Sequence, residues 1–559
     1  MGPRLSRKRR RERALARSRH CRIGNVVTIG SSAGADLEVH VVIVGAGPSG
    51  LTTAIDLARR GVSCALLERR PVPAPWPKAD RANARTMEIY RRMGLAERMR
   101  AAGYPAVNPM DVFVVERLCD PPVARLPYPS VQSSRERIVA TRDGSEPLEP
   151  YQLVSQNAIE PLLKSVAEET PNLVVRYGCE AVVASQDDDG VRVTVQTSGG
   201  EERRVVGRYL VGADGGRSMI RRGLGIKLSG WSGDRDLVQI VFRSDELYEQ
   251  IVAGPGRHYM FIDGSMLVAQ GSRTEFTLHS QLPADTDFGA LIRELIGTDV
   301  AFEIRHILTW RHRLALAERY HDRRIFLIGD AAHLVIPSGG LGMNTAIGDG
   351  TNLSWKLAGV VHGWGGPGLL DSYERERRPV GARNVEASGW AAQGIAEWRE
   401  IVEGGAATRE QVAQSAEVLL GRMHSMRGAE LGYHYAASPI IAAEPGTSDE
   451  QWDITAYRPS ARPGARLPHM WLSDGRALQD LAGPDFTLVS LDGGDGAPGI
   501  EKALEGLGVP IAALHLAEPK LRAVYGARLL LLRPDLHVAW RGNAAPADAE
   551  QLAALVTGR

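Results

Sequence analysis

Three short stretches of the chain hold residues whose types and spacing could do chemistry. The first is Gly45-Ala46-Gly47-Pro48-Ser49-Gly50, a GxGxxG run. At this spacing Gly45 permits a tight turn, Gly47 lets the backbone approach a pyrophosphate, and Gly50 lets a helix pack closely on a strand. Glu68 and Arg69 follow about twenty residues on, where an acid can accept hydrogen bonds from a ribose diol. The second stretch is Asp214-Gly215-Gly216-Arg217-Ser218, although Asp-Gly by itself is also a common turn pair. The third is Gly329-Asp330-Ala331-Ala332-His333, continued by Pro337-Ser338-Gly339-Gly340-Leu341-Gly342-Met343-Asn344. Here a carboxylate, Asp330, precedes glycines that bring backbone against a flat ring. The N–H groups of a new helix then face a place where negative charge can develop.

Each stretch needs elements to position it. Val39 to Val44 is a mostly β-branched apolar run that suits a buried strand. It feeds the glycine turn, then a helix with Leu51, Ala54, Ile55, Leu57 and Ala58 on its apolar side, then a strand from Val62 to Leu67. Strand, loop, helix, strand and acid within about thirty residues make a βαβ unit, which binds a dinucleotide without choosing between FAD and NAD. Leu210 to Ala213 reads as the end of a strand before Asp214. Arg324 to Ile328 reads as a strand before Asp330, with a helix following through Trp355-Lys356-Leu357.

With 559 residues the chain predicts two or three domains. A net charge of +1 predicts no nucleic-acid partner, and no apolar run approaches the length that spans a bilayer. Cys21, Cys64, Cys119 and Cys179 form no CxxC pair, so neither a metal site nor a disulfide framework is expected, and a reducing, cytoplasmic setting is. Residues 4–22 are dense in Arg, including Arg9-Arg10-Arg11. Such a run suits a disordered basic tail, a start codon placed upstream, or a nucleic-acid or targeting segment, and it lacks the apolar core of a secretory signal.

Together the three motifs resemble those of class A flavoprotein monooxygenases of the para-hydroxybenzoate hydroxylase fold, most closely the phenol hydroxylase-like branch. The likeness covers roughly residues 38–400. Trp76 to Glu88 looks like the loop and helix start that lies over FAD, so Lys78 is expected at the cofactor. Ser155-Gln156-Asn157 resembles the branch's glutamine segment, which places Gln156 there too. The resemblance implies non-covalent FAD held by Gly45, Gly47, Gly50, Glu68, Arg69, Lys78, Gln156, Asp214, Asp330, Pro337, Gly340, Leu341, Gly342, Met343 and Asn344. Asp330 would bond the ribityl hydroxyls and Pro337 would lie near flavin C4a. The family has no separate domain for the nicotinamide cofactor: NADPH or NADH docks briefly in a cleft beside FAD.

The implied reaction is hydroxylation of a small aromatic substrate, phenolic or polyketide-type, with O₂ through a C4a-hydroperoxyflavin. Alternatives are Baeyer–Villiger or epoxidising chemistry on a polyketide, or a non-catalytic flavoprotein that sequesters an aromatic ligand. Phenol hydroxylases place an Asp, a Tyr and an Arg at the substrate. Asp80 falls at the position of the Asp. On Phe276 to Gln281, His279 would replace the Tyr and Thr277 the Arg. Asp80 and His279 are therefore the candidate catalytic residues.

The expected fold is α/β: an FAD-binding Rossmann-type domain interleaved with a mixed β-sheet substrate domain, then a C-terminal thioredoxin-like α/β domain. The division runs 1–36 disordered basic tail, 37–225 first part of the FAD domain, 226–320 substrate-covering sheet of short strands, 321–445 remainder of the FAD domain, and 446–559 thioredoxin-like domain, with a linker near Pro445-Gly446. No cysteine lies beyond Cys179, so that last domain lacks the CxxC a thiol–disulfide exchanger needs. It is expected to serve dimer contacts or folding.

Overall fold

The computed structural model describes residues 37–270, 273–435, 437–444, 452–493 and 496–559. The basic tail and the linker near Pro445-Gly446 lie outside them.

The strand Leu37–Val44 sits inside an eight-stranded sheet. It pairs in parallel with Cys64–Glu68 on one side and Glu202–Gly212 on the other, and Ile325–Leu327 continues the parallel run. The central stretches Val41–Val44, Cys64–Leu67, Leu210–Gly212 and Ile325–Leu327 are apolar because both faces are buried, as parallel sheets require. The helices Pro48–Arg59, Gln156–Glu169 and Gly342–Val361 cover them. This pairing lays the ends of three strands side by side, so the glycine turn, Asp214 and Asp330 gather at one sheet edge although they are far apart in the chain. Ligands of open α/β sheets bind at that carboxyl edge.

A second eight-stranded sheet departs from the expected 226–320 block in two ways. Its order brings in Val112–Val115 and Ala124–Leu126 from much earlier and His333–Leu334 from later in the chain. Val112–Val115 pairs in parallel with His258–Phe261, and nothing local in a four-residue apolar run specifies so distant a partner. The strands are also not all short: Leu228–Arg243 has 16 residues and Glu303–Ala317 has 15, paired antiparallel along their length. A register shift between Ser232 and Asp236 interrupts the pair, and the turn-like composition of that interruption reads in sequence as a strand break. Alternation sorts the faces. Phe242, Phe276 and Leu278 join a core with Phe288 and Ile292 of the helix Phe288–Ile296, which leaves Thr277 and His279 to the other face.

The C-terminal sheet runs Ile511–His515, Phe486–Ser490, Leu529–Leu532, Val538–Gly542. Phe486 meets Trp355 and Trp364 edge-on at 5.9 and 6.2 Å, which joins this sheet's core to the end of the helix Gly342–Val361. The architecture is the expected α/β class. Among the described residues no helix is long and apolar enough to cross a membrane.

Candidate active site

A cleft of about 460 Å³ opens at the shared sheet edge. Gly45 turns the chain at φ +106°, and a Cβ there would run into the backbone of Ala213. A Cβ at Gly50 would strike the Gly45 carbonyl, so that glycine serves the packing of helix on turn. A Cβ at Gly47 would meet no protein atom. It would project into the cleft, where the backbone is left bare for a ligand.

Six carboxylates line the cleft, Glu68, Asp80, Glu160, Glu180, Asp214 and Asp330, and three of them, Glu68, Asp214 and Asp330, stand at strand ends. Glu68 is buried, with Oε2 accepting from the Ala46 N–H at 2.8 Å and Oε1 from the Arg70 N–H and Nε at 3.0 Å each. It therefore braces the glycine turn as well as facing the cleft. Asp214 accepts from Met219 and Ile220 N–H with Oδ2, while its buried Oδ1 has no partner. Asp330 follows the strand Ile325–Leu327, in a short 3-10 turn, and is exposed in the cleft. No side chain caps the helices Pro48–Arg59 or Gly342–Val361. An orphan carboxylate oxygen, a bare glycine cradle and two uncapped helix N-termini fit a group that carries hydroxyls, a pyrophosphate and an electron-accepting ring. FAD has those features. Among the described residues no His/Cys/Asp/Glu group could hold a metal.

Of the expected cofactor residues, Gly45, Gly47, Glu68, Arg69, Lys78, Gln156, Asp214, Asp330, Pro337, Gly340, Gly342 and Met343 line this cleft. Gly50, Leu341 and Asn344 do not. Leu341 is buried in a core with Ala387, Ala391 and Met426. Asn344 accepts from the Asn83 N–H at 2.9 Å and donates to the Arg81 and Gly340 carbonyls, so it ties the 81–83 segment to the helix start. An amide that bonds three backbone groups is a brace, and its spacing in a glycine-rich run does not reveal that. Among the described residues, Gln156 donates to Glu160 at 2.7 Å.

Sequence reading missed the support behind the third motif. Asp349 accepts from the Gly329 N–H at 3.1 Å, from His333 Nε2 at 2.7 Å and from Arg377 Nε at 2.8 Å, all buried. Arg377 reaches on to the Thr345 carbonyl and to Tyr435. Asp349 lies seven residues inside its helix and Arg377 lies on another helix, so only the fold makes them neighbours.

Asp80 and Arg81 also line the cleft. Its loop is pinned from both sides. Trp76 stacks on His306 at 4.7 Å, Gln239 donates to the Pro77 carbonyl at 2.8 Å, and the Asp80 carbonyl accepts from the Val154 N–H. The Asp80 carboxylate faces Arg257 Nη2 at 3.4 Å and His258 Nε2 at 3.5 Å. His424 joins them, 3.4 Å from Arg257 and with its ring 4.6 Å from that of Tyr128. Arg81, beside Asp80, pairs with Glu430 and lies 5.2 Å over the Tyr151 ring.

Burial alone would raise the Asp80 carboxyl, but Arg257, His258 and Arg81 outweigh it and hold the group well below the usual range. It is a firmly ionised carboxylate, and so a poor base. His258 is pushed down to about 4 by burial and by Arg257, against the opposing pull of Asp80. His279, two strands away across Met266–Ala269, is also pushed down to about 4, by burial and by His258. Neither His258 nor His279 lines the cleft; His258 meets Asp80, which does. Arg257, His258 and His424 were not singled out from sequence. The only local signal is a charged and a polar residue side by side at the start of the apolar strand His258–Phe261.

Comparisons with known proteins point to the same cofactor. Residues 38–388 match the family described as FAD binding domain, and residues 460–558 match the family described as aromatic-ring hydroxylase, C-terminal. An FAD-dependent monooxygenase of Emericella nidulans is 34% identical over 551 residues, covering 91% of this chain and 88% of the relative. Aklavinone 12-hydroxylase RdmE of Streptomyces purpurascens is 33% identical, covering 92% and 97%. Among solved structures, the rebeccamycin biosynthetic enzyme RebC with reduced flavin is similar at a TM-score of 0.85 and 33% identity, covering 94% of this chain and 100% of that one. A ternary complex of aklavinone-11 hydroxylase with FAD and aklavinone is similar at a TM-score of 0.79 and 29% identity, covering 94% and 100%.

Proposed function

The chain belongs to the FAD-dependent aromatic-ring hydroxylases, and from that premise we propose that it hydroxylates a multi-ring phenolic compound of the polyketide type. The observation that carries the reading is the make-up of the cleft. It is lined by Gly45, Gly47, Pro48 and Ser49 of the glycine turn, by Asp214, Asp330 and Pro337, and by Asp80 and Arg81, whose neighbours form the polar cluster on the second sheet. A cofactor laid along it would bring its reactive ring to that cluster. Relatives named as an aklavinone 12-hydroxylase, RdmE, and as a putative polyketide hydroxylase of Streptomyces halstedii support the substrate class.

FAD, when bound, supplies hydride acceptance from NADPH or NADH and activation of O₂ for transfer to the ring. The residues of this chain do the rest. Gly47 and the N-terminus of the helix Pro48–Arg59 receive the pyrophosphate, Asp330 the ribityl hydroxyls, and Asp214 a further hydroxyl through its free oxygen. The N-terminus of the helix Gly342–Val361 favours negative charge on the ring. Asp349, His333 and Arg377 hold that helix and the Gly329–His333 turn in fixed relation. The sheet over Asp80 excludes water from the reacting end, which strengthens every polar contact there.

We assign residues 37–225 and 321–445 to cofactor binding, the second sheet to the substrate, and 446–559 to a structural role, because no dithiol can form beyond Cys179. The three described cysteines are free, which suits the cytoplasm.

The test is turnover by the FAD-loaded protein with NADPH and O₂ against a panel of single-ring phenols and hydroxyanthraquinones, with products analysed by mass. Addition of one oxygen to a ring of a fused-ring compound is expected. Turnover of single-ring phenols alone overturns the substrate class, and oxygen inserted beside a ketone indicates Baeyer–Villiger chemistry. NADPH left unoxidised with every compound indicates a binding protein.

A further inference from the structure

Four buried polar atoms without partners lie in the cluster around Asp80: Nδ1 of His258, Nε2 of His424, Nε of Arg257 and Nε of Arg81. Buried polar groups are nearly always paired, so a convergence of unpaired ones from separate elements marks a place where a polar ligand completes the set. These come from the Asp80–Ala82 segment, from the edge of the strand His258–Phe261, and from the turn after Leu420–Met423.

The orientation of His258 follows from its partner. Asp80 is ionised and can only accept, so the imidazole directs Nε2–H at it. Nδ1 is then the bare nitrogen. His258 is nine-tenths buried or more, and the cleft reaches Asp80 beside it. Its charged and titratable neighbours come from several elements. Asp80 and Arg81 face it from the loop, Arg257 from the residue before its own strand, His279 from two strands away, and His424 from across the cluster. Asp111, just before the adjacent strand Val112–Val115, is taken up by Arg125 and the Tyr128 N–H.

We propose that Arg257 and His258 form the receptor for an acidic ring hydroxyl of the substrate, with His258 Nδ1 taking the proton, Arg257 donating to the oxygen, and Asp80 acting as a positioning residue. The inference rests on the aromatic-hydroxylase reading above and reassigns the base within it. The step balances within the cluster. The substrate O–H bond breaks, its electron pair stays on oxygen, and the proton forms an N–H bond at Nδ1. The product is an alternating row: carboxylate, imidazolium, oxyanion, guanidinium. Before the substrate arrives, Arg257 and burial keep His258 neutral and able to accept. Once the oxyanion forms beside Arg257, that repulsion is offset and Asp80 stabilises the imidazolium. An ionised ring oxygen pushes electron density into the ring, which hydroxylation by an electrophilic oxygen requires.

The test uses 2-hydroxyanthraquinone, whose visible band moves to longer wavelength on ionisation, titrated with pH while bound to the FAD-loaded protein. The dye should ionise at least about one pH unit lower than in free solution, a tenfold change in proton affinity. His258→Gln and Arg257→Gln should each abolish most of that shift at unchanged flavin content. Asp80→Asn should abolish part of it, and decides the matter if the other variants fail to fold. With a turned-over substrate, His258→Gln should still oxidise NADPH but release peroxide in place of product. Failure of the dye to bind, an unshifted midpoint in the wild type, or a full shift surviving in both His258→Gln and Asp80→Asn overturns the proposal. Absence of any oxygenated product with a normal dye shift would instead count against the hydroxylase reading alone.

Discussion

Arg533 lays two guanidinium nitrogens on Glu376, at 2.7 and 2.9 Å, with neither side chain exposed to solvent. Lys356 donates to the same carboxylate at 2.8 Å, and Asp535 meets Arg533 at 2.6 Å. Two acids and two bases cancel in a dry site that joins the C-terminal sheet to the helix Pro367–Glu403. The next residue on that helix is Arg377, which grips Asp349 and through it the Gly329–His333 turn. The C-terminal sheet is thus connected to the floor of the cleft by consecutive side chains.

Arg533→Met should cost about 3 kcal/mol of stability, because it leaves buried acids short of a cation. Lys356 still holds Glu376, so the loss stays at the low end for a broken buried pair. Denaturant unfolding of the FAD-free protein measures it. Stability unchanged within error would show that the contact does not hold the C-terminal sheet.

The glycines of the first motif should separate fold from ligand. Gly47→Val adds a Cβ that meets no protein atom and replaces only a glycine N-cap, so the FAD-free protein should unfold within about 1 kcal/mol of the wild type. It should nevertheless purify with little or no flavin. Gly50→Ala, whose Cβ would strike the Gly45 carbonyl, should lower stability itself. Flavin absorbance and unfolding curves on the two variants give the contrast, and equal flavin loading in Gly47→Val and wild type would refute the cradle.

Asp330→Ala should weaken FAD binding while leaving the fold intact, since the residue is exposed in the cleft. Loss of a charge-assisted hydrogen bond of about 1.5–3 kcal/mol corresponds to roughly ten- to hundredfold in affinity. Saturating FAD should restore part of the turnover. A variant that keeps full FAD yet is inactive would contradict the anchoring role.

Stability should fall as pH drops below neutrality. His258, His279, His469 and His537 are each pushed down to about 4, burial being the first cause in every case. An unfolded imidazole takes its proton near 6.5. Between about 6.5 and 4 the unfolded chain binds protons that the folded chain refuses, so the fold loses about 1.4 kcal/mol per pH unit for each such group. Glu376, held down to about 2, extends the loss below the unfolded carboxylate value near 4.3. Unfolding free energies at pH 7, 5.5 and 4.5 test the sign; a flat profile would mean these histidines are not held neutral.

The sequence alone determined the parts of this protein whose physics is local. A turn that must reach φ +106° beside another backbone demands glycine at position 45, and a strand buried on both faces demands an apolar run such as Val41 to Val44. Both demands are met within a few residues, so the dinucleotide unit, the three carboxylates at strand ends and the family likeness were legible without coordinates. The tertiary structure decided what depends on contacts between distant residues. It placed Val112–Val115 in the second sheet, turned Asn344 and Leu341 away from the cleft, and set Arg257, His258 and His424 around Asp80. No local pattern marks Arg257, His258 and His424 as partners of Asp80, because an isolated polar side chain gains its role from the charge placed opposite it. That charge arrives from residues tens to hundreds of positions away, through strand pairings that a one-dimensional pattern does not encode.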